Sequence, residues 1–339
     1  MSIPHPPGCP ACGSAAALRP REEHLDPIGG KRYRLLDCPA CGVTSSEPRE
    51  PVGADWYEKE RPTRARETRP APESDWRFRQ FFSERLAPGR LLDVGCGDGG
   101  FLALAAARGF VGTGFDYDER MVAKARARGI ADAHAAEFAD FCRTRRDGEF
   151  DYAVLFDVLE HTPEPAWFFG EVRRLLKPGG HVALTMPNAL RPVPLGREEY
   201  DYPPHHFTRW TPDALKGFLE RGGFEVARLD AGTLKTTFLS DVYFFRAVMP
   251  RLLALARRLL FGRAAPGATL TQLYEGAARP SPLSDKLRRQ ELVEAARRVF
   301  AVLFYPAALI LRARFLARDP RCGEYLYVLA RLKESAQGK

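Results

Sequence analysis

Leu91-Leu92-Asp93-Val94-Gly95-Cys96-Gly97-Asp98-Gly99-Gly100-Phe101 is the stretch on which the fold turns. A short apolar strand runs into a turn rich in glycine, and an Ala/Leu helix from Phe101 to Arg108 follows, closed by Gly109. Glycines at such a turn let a ligand approach the backbone amides and the positive helix N-terminus. Working outward, Val111–Phe115 reads as the next strand, Glu119–Arg128 as a helix and Ala131–Ala135 as a weaker strand. Tyr152–Phe156 is a buried strand. The helix after it carries Phe168, Val172, Leu175 and Leu176 on one face, with Thr162 as N-cap, Pro163 at the first position and Lys177-Pro178-Gly179-Gly180 as its end. His181–Met186, a helix opened by Thr211-Pro212-Asp213, and Phe224–Leu229 continue the series. Strands alternating with helices of this length predict an α/β fold, a mostly parallel sheet with helices on both faces.

The chain has 339 residues, 45% hydrophobic and 28% charged, which suits a globular protein with a sizeable core. No apolar run approaches the roughly 20 residues of a spanning helix. The N-terminal Met1-Ser2-Ile3-Pro4 lacks the charged-then-apolar order of a secretory signal. The expected location is the cytoplasm, with a peripheral seat on the inner membrane face left open. Net charge is +8, and it is localised. Thr236–Gly323 holds fourteen Arg and one Lys against six acids, a net +9, so the remainder sums to −1.

Two near copies, Cys9-Pro10-Ala11-Cys12-Gly13 and Cys38-Pro39-Ala40-Cys41-Gly42, stand in the first 50 residues. Each Cys-x-x-Cys turn aims two thiolates at one ion, and two turns supply the four sulfurs of a closed tetrahedral zinc site. The spacing leaves room for a small antiparallel hairpin between them. With no open coordination position, such a zinc is structural. The segment resembles a zinc ribbon.

The glycine loop fits two patterns. Gly95-x-Gly97-x-x-Gly100 matches a dinucleotide fingerprint, with Asp116 ending the next strand, so an NAD-dependent oxidoreductase is a rival reading. Against it stand the charge of Asp93 just before the turn and two later stretches with no role in hydride chemistry. These are Leu155-Phe156-Asp157-Val158-Leu159-Glu160-His161 and Leu175-Leu176-Lys177-Pro178-Gly179-Gly180. Taken in order, the three motifs resemble the class I S-adenosylmethionine-dependent methyltransferases, especially the subgroup similar to quinone-biosynthesis O-methyltransferases. The resemblance covers roughly residues 75–235 and the last strand, and implies a Rossmann-like seven-stranded sheet. It further implies that the Asp93–Gly99 loop, with Gly95 and Gly97, surrounds the methionine part of the cofactor. Asp116 would bind the ribose hydroxyls, and Glu137 and Phe138 would lie near the adenine, with Asp140 an alternative to Glu137. Asp157 would face the sulfonium end.

Methyl transfer to a hydroxyl asks mainly for alignment and for removal of a proton. His161 is one candidate base, or a metal-assisting residue, at the carboxyl-end rim of the sheet. Tyr200-Asp201-Tyr202-Pro203-Pro204-His205-His206-Phe207-Thr208-Arg209-Trp210 offers His205 and His206 on a second loop suited to an acceptor pocket. The choice among the three histidines stays open.

The domains expected are a zinc ribbon over 1–50, a linker over 51–74, the methyltransferase domain over 75–235 with 324–333, and a basic, mainly helical insertion over 236–323. Val299–Leu311 in that insertion is apolar, interrupted by Pro306 and bracketed by Arg297, Arg298, Arg312 and Arg314. It reads as a lid, an interfacial membrane contact or an RNA-binding surface. The first two favour a small or lipid-linked acceptor such as a quinone precursor, a sugar or a secondary metabolite. The third makes the chain an RNA methyltransferase.

Overall fold

Leu91, Leu92 and Val94 of β4 (Arg90–Val94) are all buried, the pattern of a strand covered on both faces. On one side β4 pairs in parallel with β5 (Val111–Asp116), which pairs with β6 (Ala133–Ala135). On the other side it pairs in parallel with β7 (Phe150–Phe156), which pairs with β8 (Leu176–Pro187). β11 (Tyr325–Leu332) lies antiparallel between β8 and the edge strand β10 (Phe224–Asp230). The order is therefore β6-β5-β4-β7-β8-β11-β10, seven strands. The computed structural model describes residues 8–50, 71–194, 201–251, 254 and 283–334. The linker over 51–70, Tyr200 and the basic stretch 255–282 lie outside the described residues.

The two faces follow from the strand period of two. Leu92, Val94, Phe150 and Leu155 join one core cluster, while Leu91, Tyr152 and Val154 join the other. Phe168, Phe169, Val172 and Leu175 of α5 (Pro165–Leu175) cover the first. Phe81 of α1 (Trp76–Ser83), Phe101 and Leu102 of α2 (Gly100–Ala106) and Val122 of α3 (Glu119–Ala127) cover the second. After β4 the chain winds outward through β5 and β6, then returns to the opposite side at β7. The carboxyl ends of β4 and β7 thus flank a topological switch point, where open α/β sheets bind ligands.

Local punctuation departs from the expectation at two places. Thr162 does not cap α5; it donates from Oγ1 to the Leu159 carbonyl at 2.8 Å and closes a 3-10 turn over Leu159–His161, so the helix starts at Pro165. Lys177-Pro178-Gly179-Gly180 lies within β8, because the helix already stops at Leu175.

The N-terminal segment forms β1 (Arg19–Leu25), β2 (Arg32–Asp37) and β3 (Thr44–Glu47). The β1–β2 hairpin turns on Asp26, whose carboxylate accepts from the Ile28 and Gly29 amides at 2.9 and 2.8 Å. Its sheet is completed by β9 (Thr208–Arg209), in the order β1-β2-β3-β9. The Cα packing divides the chain into two compact units. One comprises Met1–Arg191, Glu199–Thr233 and Gly323–Lys339; the other comprises Pro192–Glu198 and Leu234–Cys322.

Within the second unit, α7 (Thr236–Tyr243) and a π-helical turn at Phe244–Val248 precede α8 (Leu283–Arg318). α8 is not interrupted at Pro306. Its portion Glu294–Arg318, 25 residues with a most apolar stretch of mean hydropathy 1.8, is long and apolar enough to cross a membrane by length and composition. That corrects the expectation that no stretch would reach spanning length. The apolar run Val299–Leu311 ends at Arg312, but the helix carries that arginine within its length.

Candidate active site

Gly95, Gly97 and Gly99 all hold positive φ, at 78°, 53° and 77°. At Gly95 there is a second constraint: a Cβ would stand 2.9 Å from Cγ2 of Val158. The loop after β7 therefore lies directly against the loop after β4, and only glycine permits that approach. Asp116 ends β5 beside them. Its Oδ2 accepts from the Gly97 amide and its Oδ1 from the Asp118 amide, both at 2.9 Å. The carboxylate is thereby fixed at the rim and tied to the glycine turn.

Asp93 sits beneath the same turn and is buried. Desolvation and the nearby Asp116 carboxylate push it up to about 8, so at neutral pH it keeps its proton. Asp157 follows β7 with φ of 55°, a left-handed backbone that Asp tolerates better than most residues. Its Oδ1 accepts from Thr185 Oγ1 at 2.8 Å and its Oδ2 from Arg77 Nη1 at 2.6 Å. Arg77 is in turn held by Asp75, the N-cap of α1, whose Oδ2 accepts from Nη2 at 2.6 Å. One partly buried guanidinium thus spans two carboxylates at the rim.

The 3-10 turn at Leu159–His161 brings Glu160 and His161 next. Glu160 is buried, and neither carboxyl oxygen has a hydrogen-bond partner among the described residues. Burial, and after it the Asp157 charge, push it well above the ordinary carboxylate range. His161 places Nδ1 2.7 Å from the His205 carbonyl oxygen. A carbonyl only accepts, so Nδ1 carries a proton, and in the neutral ring the lone pair is on Nε2.

His205 and His206 stack on each other with ring centroids 4.9 Å apart, and the His161 ring meets them edge-on at 4.9 and 4.7 Å. One nitrogen from each ring lies within 4.8 Å of the others, so the three could hold a metal ion. His206 Nδ1 is 3.5 Å from Asp201, which also pairs with Arg191 at 2.8 Å. Burial pushes Asp201 up, but His206 and Arg191 outweigh it and hold the carboxyl below its ordinary value. The loop is anchored where it meets the N-terminal sheet. The Phe207 amide donates to the Glu160 carbonyl at 2.8 Å, the Ser46 amide donates to the Phe207 carbonyl at 3.0 Å, and Tyr202 Oη donates to Glu22 at 3.0 Å.

Glu137 is exposed just before α4 (Phe138–Arg143), with Asp140 in the first turn of that helix and paired with Arg143. Phe138 is buried, its ring 4.1 Å from Phe168. The four N-terminal cysteines converge elsewhere in the same unit. Cys9 and Cys41 sulfurs are 3.6 Å apart, Cys12 and Cys38 sulfurs 3.8 Å, and all four lie within 4.8 Å of one another. These separations are far beyond a disulfide bond of about 2.05 Å. Cys41 holds the Cys9 thiol down to about 5, and Cys9 in turn pushes Cys41 up.

Residues 58–229, about half of the chain, match the family described as a methyltransferase domain. The chain belongs to the class I S-adenosylmethionine-dependent methyltransferases. The methyltransferase is 36% identical over 107 residues to a ubiquinone biosynthesis O-methyltransferase of Pseudomonas aeruginosa, a match that covers 30% of this chain and 46% of that one. It is 30% identical over 164 residues to the ubiquinone biosynthesis O-methyltransferase of Aromatoleum aromaticum, covering 42% and 67%. The chain thus spans about half the length of the Pseudomonas relative. Among solved structures it is similar to an S-adenosylmethionine-dependent methyltransferase from Archaeoglobus fulgidus, with a TM-score of 0.47 and 15% identity over 81% of this chain and 99% of that one. Membership in this family removes the oxidoreductase reading.

The structure thus gathers Asp93, Gly95, Gly97, Gly99, Asp116 and Asp157 of the methyltransferase at one rim, with His161, His205 and His206 on the loops that follow. It adds residues the sequence did not single out. Asp75 had a local signal, a helix N-cap ahead of Trp76. Arg77 and Thr185 had none, because the Asp157 they share lies 80 and 28 residues away, while Asp201 stood inside the loop of His205 and His206 with nothing to mark its pairing with His206 and Arg191.

Proposed function

We propose that the methyltransferase passes a methyl group to the oxygen of a small or lipid-linked acceptor, with His161 as the general base. The observation that carries this reading is the His161–His205 carbonyl bond, which fixes the ring with its proton on Nδ1, on a loop packed against the glycine turn. S-adenosylmethionine, when bound, supplies a methyl group on a positively charged sulfur that needs no further activation. The Asp93–Gly99 loop would hold its methionine part, and Asp116 its ribose hydroxyls, by charge-assisted bonds. Glu137 and Phe138 would border the adenine. Arg77 suits an α-carboxylate, and Asp157 an amino group or the positive sulfur. His161 would take the acceptor's hydroxyl proton onto Nε2 as the oxygen–methyl bond replaces the methyl–sulfur bond, S-adenosylhomocysteine being the leaving group. His205 and His206 would wall the acceptor.

The quinone-biosynthesis names of the relatives support an oxygen acceptor with an apolar tail. The test is to supply S-adenosylmethionine labelled in its methyl group together with hydroxyl-bearing acceptors and RNA. Label in an organic-soluble O-methyl product supports the reading; label in RNA contradicts it.

Zinc at Cys9, Cys12, Cys38 and Cys41 belongs to the same proposal. A tetrahedral ion with zinc–sulfur bonds of about 2.3 Å sets its sulfurs about 3.8 Å apart, and the cysteine pairs at 3.6 and 3.8 Å fit. The ion would be structural, but the sheet it braces carries the loop of His205 and His206. The purified protein should hold one zinc per chain. The Cys9→Ser, Cys38→Ser variant should lose the metal, protease resistance of the first 50 residues and turnover, yet keep S-adenosylmethionine affinity. A metal-free variant with full turnover would refute the bracing role.

A further inference from the structure

We propose that the outer face of α8 docks on an anionic phospholipid bilayer, with the helix lying in the plane of the membrane surface. The inference stands apart from the identity of the acceptor. Val299, Val302, Leu303, Leu309 and Ile310 are exposed at 60, 74, 76, 41 and 60%. At about 100° per residue these positions fall on one side of the helix, with Tyr305 at its margin. An exposed apolar stripe of this extent is unusual on the surface of a soluble monomer and marks a contact with a membrane or another protein.

The opposite face is already engaged. Phe300 and Phe304 pack against Phe244 and Tyr243, with ring centroids 5.5 and 5.0 Å apart, and Ala308 is fully buried. Arg297 pairs with Asp241 at 2.9 Å, and Arg312 donates to the Leu234 carbonyl at 2.8 Å. These contacts hold the helix with its apolar stripe outward. They also explain why a helix long enough to span would lie flat: lipid can reach only one side of it.

Charge selects the partner. Val299–Leu311 contains no charged residue, and its flanks are basic, with Arg298 at one end and Arg314 and Arg318 at the other. The nearest acids, Glu294 and Asp319, are paired with Arg297 and Arg321. A second copy of the chain seated antiparallel on this stripe would bring arginine against arginine. Anionic headgroups meet the arginines while the acyl boundary takes the valines and leucines, the pattern of an interfacial helix.

The test is co-sedimentation of the full chain with vesicles of phosphatidylcholine alone and of phosphatidylcholine mixed with phosphatidylglycerol. Binding should require phosphatidylglycerol and fall as salt rises. Val302→Ser with Leu303→Ser should weaken it by about tenfold or more, and Arg298→Glu with Arg314→Glu should abolish the preference for anionic vesicles. S-adenosylmethionine affinity should be unchanged in both variants, which shows that they fold. Equal or absent binding to the two vesicle types overturns the proposal, as does undiminished binding by the serine variant. Self-association that the serine variant abolishes, RNA binding through the same arginines, or release from vesicles by detergent but not by salt would also overturn it, in favour of a dimer face, a nucleic-acid surface or a spanning helix.

Discussion

Replacing His161 by Gln should lower the rate of methyl transfer at saturating substrates by about 10²–10⁴-fold, the usual contribution of a positioned general base. Gln is close in size and can still donate from its amide to the His205 carbonyl, so the local packing survives. What it cannot do is accept a proton at neutral pH. His206 sits 4.7 Å from the His161 ring but faces Asp201 with its own Nδ1, so His206→Gln should cost much less. Single-turnover rates with methyl-labelled S-adenosylmethionine, together with the cofactor affinity of each variant, check both expectations. A His161 variant with an unchanged rate would move the base to the second loop.

Asp116→Ala should weaken S-adenosylmethionine binding by about 1.5–3 kcal/mol, the scale of hydrogen bonds to a charged group. That is roughly 10- to 150-fold in affinity. Removal of the carboxylate takes away the acceptors proposed for the ribose hydroxyls and the group that receives the Gly97 amide. The glycine turn then loses a strut as well as a ligand contact, which places the effect toward the upper end. The labelled-methyl rate at saturating cofactor should fall less than the affinity, because Asp116 does not touch the acceptor's proton.

The sheet was legible because its signals are local. Leu91–Val94, Tyr152–Phe156 and the glycine turn each declare themselves within a few residues, and the order of the motifs gave the family. The paired Cys-x-x-Cys turns were legible for the same reason. Convergence was not. His161 and His205 are 44 residues apart, and Arg77 and Asp157 are 80 apart, so nothing in either neighbourhood announced the pairing. β9 is only two residues long and owes its strand conformation to β3, which no propensity could forecast. Thr162 and Pro163 look like a helix start, yet the 3-10 turn takes Thr162 and the helix waits for Pro165. Pro306 read as a break, and α8 runs through it.

The rim between β4 and β7 is the proposed S-adenosylmethionine site, with Asp116 as its proposed ribose anchor. Calorimetric titration of S-adenosylmethionine and of NAD into the wild-type chain and the Asp116→Ala variant tests that directly. The wild-type chain should bind one S-adenosylmethionine and no NAD, and the variant should show the 10- to 150-fold loss that follows from hydrogen bonds to a charged group. Equal affinity of the two proteins for S-adenosylmethionine, or saturable binding of NAD, would contradict this assignment.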